Sequence, residues 1–255
     1  MSSSSGGNGG RLALVTGGTG GIGTEICREL AAAGHRVVTT HIAAEAQLAR
    51  AWQQDLGAEG HQPELIECDV ASFESCAAMA QQVKTNLGTV EILVNCAGIT
   101  RDKTLAKMEP AQWAAVLDTN LNGAFNVTRH LIDGMIERRF GRIVCISSVN
   151  GQRGQFGQTN YSAAKAGLFG FTRALAREVA GDGITVNTVS PGYVDTSMVE
   201  AIPKDVREAI IRRIPVGRLA HPREIARAVS FLVAEESGYI TGANLPVNGG
   251  LYMGS

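Results

Sequence analysis

From Arg11 onward, short apolar runs of four to six residues alternate with longer stretches in which apolar side chains recur every three or four positions. Continuous runs this short, rich in Val and Ile, read as strands buried on both faces, and the longer pattern reads as amphipathic helix. Strands are expected at 12–16, 36–40, 64–68, 92–95, 142–147, 184–189 and 244–247, and helices near 22–33, 43–56, 72–87, 110–138, 159–180 and 222–234. That alternation predicts one α/β domain over 11–255, a doubly wound, seven-stranded parallel sheet with right-handed crossovers placing helices on both faces. Ligands of such sheets gather outside the carboxyl ends of the strands, where Thr16, Asn95 and Ser148 fall. The segment 196–220, with Pro203 and Pro215 among charged helical pieces, interrupts the alternation and reads as a substrate lid or as a plain surface helix pair. Residues 1–10, rich in Ser and Gly, read as a flexible arm.

Composition narrows the function classes. The 255 residues are 44% hydrophobic and 18% charged, below the roughly 25% charged of ordinary soluble chains, which fits extensive burial. A formal charge of -1 provides no broad basic field, so nucleic acid is not expected as a partner. No apolar run approaches the ~20 residues that span a bilayer, and the start lacks the regions of a signal peptide, so the expectation is a cytoplasmic protein without a membrane. The five cysteines, at 27, 68, 76, 96 and 145, show no metal-ligand spacing and read as small buried hydrophobes, with no metal site.

The run Thr16-Gly-Gly-Thr-Gly-Gly-Ile-Gly23 follows the first strand and opens the first helix, the context a dinucleotide fingerprint requires. Gly18, Gly20 and Gly23 fit G-x-G-x-x-G, and Thr16, Gly17, Gly21 and Gly23 also fit T-G-x-x-x-G-x-G, with Thr19 and Ile22 between them; in either register the glycines let the backbone turn and approach a pyrophosphate, and the helix N-terminus favours the anion. The second strand ends Thr-Thr-His41 with neither the acid that holds a ribose 2′-OH nor an arginine for a 2′-phosphate. Glu45 is the first charged side chain beyond it, so the reading leans to NAD(H), with NADP(H) as the alternative should His41 and Arg50 reach a phosphate. Asp69 and Val70, after the third strand, offer a carboxylate and an apolar wall to the adenine. Asn95, Ala97 and Gly98, after the fourth, allow close passage of the cofactor.

Tyr161 and Lys165 stand four apart on one helix face, and Ser148 closes the apolar run 142–147. An ammonium near a phenol favours phenolate and makes the phenol a stronger acid, while a serine hydroxyl would hydrogen-bond a carbonyl oxygen. Asn120, expected mid-helix, would bind backbone or hold a water carrying protons towards Lys165.

Taken with Asn187-Thr-Val-Ser-Pro-Gly192 and Asn248-Gly-Gly250, these motifs resemble the short-chain dehydrogenase/reductase superfamily over 11–250. The resemblance implies a Rossmann fold, a catalytic set of Asn120, Ser148, Tyr161 and Lys165 with the last two also touching the cofactor, and nicotinamide contacts from Pro191, Gly192, Val194 and Thr196. It also implies a homotetramer. Cys96 departs from the common second Asn of that pattern, with a small effect expected because Asn95 is kept.

The amide- and glycine-rich stretch 149–160 suits a polar acyl thioester better than a bulky apolar steroid. The stretches 98–102, 147–151, 154–161 and 189–193 are similar to the acetoacetyl-CoA reductases of polyhydroxyalkanoate synthesis. That similarity implies reduction of acetoacetyl-CoA to (R)-3-hydroxybutanoyl-CoA, with Gln155, Phe156, Gln158 and Tyr193 near the acyl end. Arg101, Lys103 and Arg153 are candidates for the phosphates of coenzyme A. The alternatives are a 3-oxoacyl-[acyl-carrier-protein] reductase and, more remotely, a catalytically silent dinucleotide sensor.

Overall fold

The computed structural model describes residues 10–196, 199 and 203–254. The expected sheet is present: seven parallel strands in the order β3-β2-β1-β4-β5-β6-β7. They are β1 (Leu12–Val15), β2 (Arg36–His41), β3 (Glu64–Glu67), β4 (Ile92–Asn95), β5 (Gly141–Ile146), β6 (Ile184–Pro191) and β7 (Asn244–Val247). Around them run α1 (Gly21–Ala32), α2 (Ala46–Ala58), α3 (Phe73–Asn86), α4 (Pro110–Leu117), α5 (Gly123–Arg138), α6 (Val149–Arg153), α7 (Thr159–Val179), α8 (Lys204–Arg212) and α9 (Pro222–Val233).

Side chains alternate across a strand with period two, so each strand feeds two cores. Leu12, Leu14, Leu93 and Ile143 face one core with Met79, Val127, Leu131 and Met135 of α3 and α5. Ala13, Val15, Val94 and Val144 face the other with Ile26 and Leu30 of α1, Leu56 of α2 and Val229 of α9. This double burial explains the unbroken apolar runs. Below the sheet, the buried Arg142 donates to four backbone carbonyls, those of Gly141, Gly183, Ala234 and Glu235, tying β5 to the end of α9.

Two expectations are corrected. The single helix expected over 110–138 is two helices joined by a π turn at Asp118–Asn122, where the Gly123 N–H reaches back five residues to the Asp118 carbonyl. A one-residue bulge barely disturbs apolar periodicity, so nothing in the pattern marked it. The one-turn α6 lies in what read as a loop, because five residues are too short for a period to show. Of the segment 196–220, residues 197, 198 and 200–202 lie outside the described residues. Its base is pinned where Asp195 N–H donates to Ala220 O (2.8 Å) and Ala220 N–H to Tyr193 O (2.9 Å). The arm expected at 1–10 also lies outside the description, apart from Gly10.

Candidate active site

Strand order reverses between β1 and β4, and a crevice opens at their carboxyl ends. Thr16 spans it, its hydroxyl oxygen accepting from Cys96 N–H (3.0 Å) and Ala97 N–H (3.1 Å). The glycine loop is folded too tightly for side chains. Gly17 has φ +66°, and a Cβ there would stand 2.9 Å from the Ala97 Cα. A Cβ on Gly23 would meet the Gly17 carbonyl, and one on Gly21 would meet the Thr196 methyl at 2.7 Å.

Helix α1 begins with no side-chain cap and no acidic residue in its first turn. Its leading amides, with Gly20 and Gly21 exposed, therefore present uncompensated positive charge to an anion. This cradle fits a dinucleotide pyrophosphate. The β2 hydroxyls brace it: Thr39 accepts from Gly18 N–H (2.8 Å) and donates to Val15 O (2.8 Å), while Thr40 accepts from Gly17 N–H (3.3 Å). Reading the sequence missed these two, whose only signal was a pair of hydroxyls where a charged residue was sought.

Towards the adenosine end the structure separates the candidates. Asp69 is exposed, with one carboxylate oxygen accepting from Ala71 N–H at 3.0 Å. Val70 is only 6% exposed and packs beneath Gly123 of α5, so the apolar wall expected of it is mostly turned into the core. The Asn95 side chain also turns inward, donating to Thr128 Oγ1 (3.1 Å) and joining β4 to α5. His41 and Arg50 line a cleft of about 460 Å³ between α2 and β3 together with Gln53, Glu64 and Glu67.

At the chemical end, Ser148, Tyr161, Lys165 and Asn120 converge around the loop after β4. Lys165 is 4% exposed, and its Nζ donates to Ile146 O (2.7 Å) while standing 5.7 Å from the centre of the Tyr161 ring. Burial lowers its amine to about 8. Its own carbonyl accepts from Ser147 Oγ at 2.7 Å, which locks the α7 backbone to the end of β5.

Burial pushes the Tyr161 phenol up from its ordinary value, the Ser148 hydroxyl pulls it down, and the Asp102 carboxylate and Cys96 push it up further. The Lys165 ammonium is held against Ile146 O on the same side of α7 as the phenol. Cys96 packs against the apolar core beside β1 and β4, and its thiol is pushed up to about 11 by burial.

Asn120 sits in the π turn, 3% exposed, and clamps one residue of the facing loop: its Oδ1 accepts from Ile99 N–H (2.7 Å) and its Nδ2 donates to Ile99 O (2.8 Å). Of the two roles foreseen, its side chain takes the backbone one. Gly98 packs closely here: a Cβ would come within 3.0 Å of Asn120 Oδ1 and 3.4 Å of Lys165 Nζ.

The stretch 149–160 forms the rim. Phe156 is 86% exposed, and Gln155 accepts from Arg153 at 3.2 Å. Arg153 donates to the amide oxygens of Asn150 (3.4 Å) and Gln155 (3.2 Å), whereas Arg101 is exposed and, among the described residues, donates to Thr100 O (2.8 Å). Gln158 bonds at both ends of its amide, to Asn150 and to Asp102. Across the crevice, Pro191 ends β6, Gly192 N–H donates to Val247 O (2.9 Å) and Val194 is 4% exposed, with Tyr193 half-buried. Among the described residues no cluster of metal-ligating side chains occurs, and no helix is long and apolar enough to cross a membrane.

Comparison with known proteins shows the family. A family model described as Enoyl-(Acyl carrier protein) reductase, one of the short-chain dehydrogenases/reductases, matches residues 17–252. An acetoacetyl-CoA reductase of Allochromatium vinosum is 60% identical over 243 residues, 95% of this chain and 99% of that protein. A second acetoacetyl-CoA reductase, of Cupriavidus necator, is 54% identical over 96% of this chain and 99% of its own. A 3-oxoacyl-[acyl-carrier-protein] reductase of Pseudomonas aeruginosa is 47% identical over 96% of this chain and 98% of its own.

Proposed function

This chain belongs to the short-chain dehydrogenase/reductase family, and from that premise we propose that it reduces the 3-keto group of acetoacetyl-CoA to (R)-3-hydroxybutanoyl-CoA. The observation that carries the reading is Tyr161 standing over the buried Lys165 on α7 with Ser148 at the end of β5, an arrangement that would present two O–H groups to one carbonyl oxygen. Relatives named for acetoacetyl-CoA, at 60% and 54% identity, support this thioester over the carrier-protein form, named by a relative at 47%.

The α1 amides and the glycine loop would hold a reduced nicotinamide dinucleotide, which when bound would supply the hydride for the 3-carbon. The carbonyl π pair moves to oxygen, and Ser148 donates a hydrogen bond to the growing negative charge. Tyr161 transfers its phenolic proton to that oxygen. Because burial and Asp102 hold the phenol above its ordinary range, it stays protonated at neutral pH, as an acid in the reductive direction must. Lys165 keeps a positive charge below about pH 8 and stabilises the phenolate once it forms. Solvent would return the proton by way of Lys165. Arg101 at the mouth serves the coenzyme A phosphates, Phe156, Gln155 and Tyr193 border the acyl group, and 196–220 closes as a lid over it.

For the dinucleotide we propose NADH. Thr40, where an adenosine-binding charge was sought, spends its hydroxyl on Gly17, and the cleft beyond it sets Glu64 and Glu67 against Arg50 and His41. A 2′-phosphate would enter without a dedicated cation, losing charge-assisted bonds of ~1.5–3 kcal/mol. NADH is thus expected to give a kcat/KM roughly 10- to 100-fold above NADPH, and a higher value with NADPH overturns the assignment.

Acetoacetyl-CoA is expected to turn over faster than the same acyl group on carrier protein at equal concentration. The reverse order would establish the carrier-protein reading, and reduction of neither thioester would remove both. A cytoplasmic homotetramer completes the reading, supported by the exposed Phe73, Phe125 and Ile136 on α3 and α5 and by five free cysteines.

A further inference from the structure

We propose that Trp52 is a positioning residue for the dinucleotide: its indole N–H fixes the Thr24 hydroxyl, which in turn orients the peptide units of the glycine loop. The inference rests on the dinucleotide reading of that loop, and it adds two residues that act on the cradle from behind. Trp52 lies in the second turn of α2 and shares an apolar core with Ile26 and Leu30 of α1 and Leu56 of its own helix. At 9% exposure its one polar atom needs a partner, and Nε1 donates to Thr24 Oγ1 at 2.9 Å. A hydroxyl has one proton and two lone pairs, so a lone pair held by a fixed donor leaves the proton to turn elsewhere. Thr24 shares that proton between Gly20 O (2.8 Å) and Gly18 O (3.2 Å), a three-centre bond of the kind common at helix ends.

The two carbonyls belong to the peptide units that carry the Thr19 and Gly21 N–H groups. Both units are trans, so C=O and N–H point to opposite sides, and a carbonyl drawn to Thr24 turns its amide away from that side chain. Among the described residues neither amide has a backbone acceptor, which leaves both for an anion. Gly20 O also accepts from Thr24 N–H (2.7 Å), so the Gly18 unit is the one that depends on the hydroxyl. Gly18 is then held on both sides, its N–H by Thr39 Oγ1 at 2.8 Å and its carbonyl by Thr24.

Helix α2 is docked for this task at two points of α1. Thr24 and Arg28, one turn apart on α1, meet Trp52 and the C-terminal cap Glu59 of α2, and Arg28 Nε and Nη2 donate to the two Glu59 carboxylate oxygens at 2.7 Å each. The chain enters α2 from His41 and the turn Ala43–Glu45, where a ribose-binding charge was sought. Trp52 therefore carries a link from the ribose side of the crevice to the pyrophosphate side. A phenylalanine would fill the core at this position, and only the indole N–H adds the aim.

The deciding experiment uses the full chain with Trp52→Phe, Thr24→Val, Thr24→Ser and the pair Trp52→Phe/Thr24→Val, read as the dissociation constant of the preferred dinucleotide and as kcat and KM for reduction. Trp52→Phe and Thr24→Val are each expected to weaken dinucleotide binding ~3- to 10-fold, the effect of one neutral hydrogen bond, with the loss falling on the dinucleotide KM rather than on kcat at saturation. The pair should be no worse than the poorer single variant, and Thr24→Ser, which keeps the hydroxyl, should bind within about twofold of the unaltered chain. A second readout needs no turnover. With Trp113→Phe as background Trp52 is the sole indole, and ADP-ribose, which has no nicotinamide to absorb its emission, is expected to alter that emission when Thr24 is present and not in Thr24→Val. An indole that only fills the core would lower stability on replacement and leave the dissociation constant where it was. Unchanged binding in both single variants, losses that multiply in the pair, a Thr24→Ser as poor as Thr24→Val, or an emission indifferent to ADP-ribose would each overturn the proposal. If Trp52→Phe does not fold, Thr24→Val against Thr24→Ser decides instead. An unaltered chain that binds neither NADH nor NADPH would reject the dinucleotide reading itself, whereas equal binding by the unaltered chain and its variants rejects the role of Trp52 alone.

Discussion

Tyr161→Phe is expected to lower kcat for thioester reduction by roughly 10²- to 10⁴-fold, the range a positioned general acid contributes, while the dinucleotide dissociation constant stays within about threefold. The change deletes one oxygen from a half-buried ring and leaves the glycine loop, α1 and the Thr39 and Thr40 braces intact. Ser148 can still donate to the carbonyl oxygen, so the residual rate measures what that hydrogen bond and proximity achieve without a proton donor. Single-turnover reduction with saturating dinucleotide, beside a binding titration, separates the two effects. An unaltered kcat would remove Tyr161 as the acid, and a protein that binds dinucleotide with no turnover in either form would be a sensor.

Lys165→Met is expected to be equally damaging to activity, by about 10²-fold or more, yet to leave the protein at pH 7 as stable as the unaltered chain or more so. A lysine 4% exposed that has, among the described residues, a single backbone acceptor and no carboxylate partner is carried at a cost, visible in its fall to about 8. That displacement corresponds to roughly 3 kcal/mol. Methionine fills similar volume without charge, and its penalty is the Ile146 carbonyl left without its donor, about 1–3 kcal/mol.

The sign with pH follows from proton counting. An unfolded lysine keeps its proton to near 10.5 and the folded one only to about 8, so between those values the unfolded chain binds more protons and this group makes stability rise with pH. Below about 8 both states are protonated and the penalty is present in full. Any stability advantage of Lys165→Met should therefore be largest at pH 7 and shrink above pH 8, and thermal midpoints of both proteins at pH 7 and 9.5 test it. A variant melting far below the unaltered chain at pH 7 would mean that Lys165 is a structural tie.

The site was legible in the sequence to an uneven degree. Gly17, Gly21 and Gly23 announced themselves because a crowded backbone excludes every other residue, as the contacts a Cβ would make now show. Tyr161 and Lys165 were visible from helical spacing alone. Thr39 and Thr40 were not, since threonine inside a strand is ordinary there and only the approach of Gly17 and Gly18 gives the hydroxyls their task. Arg153 and Gln158 read as groups free to meet a substrate, and the structure spends both on internal partners.

What the amino-acid order determined by itself is whatever depends on neighbours within a few residues: the strand and helix periods, the glycines at the tight turn, and the same-face pair at 161 and 165. Sheet order, the π turn that aims Asn120 at Ile99, and the chain from Asp102 through Gln158 to Asn150 were decided only on folding. The physical reason is that a hydrogen bond or a pKa depends on distance and burial, and groups 21 or 56 positions apart, such as Asn120 and Ile99 or Gln158 and Asp102, leave no mark of their meeting in local pattern.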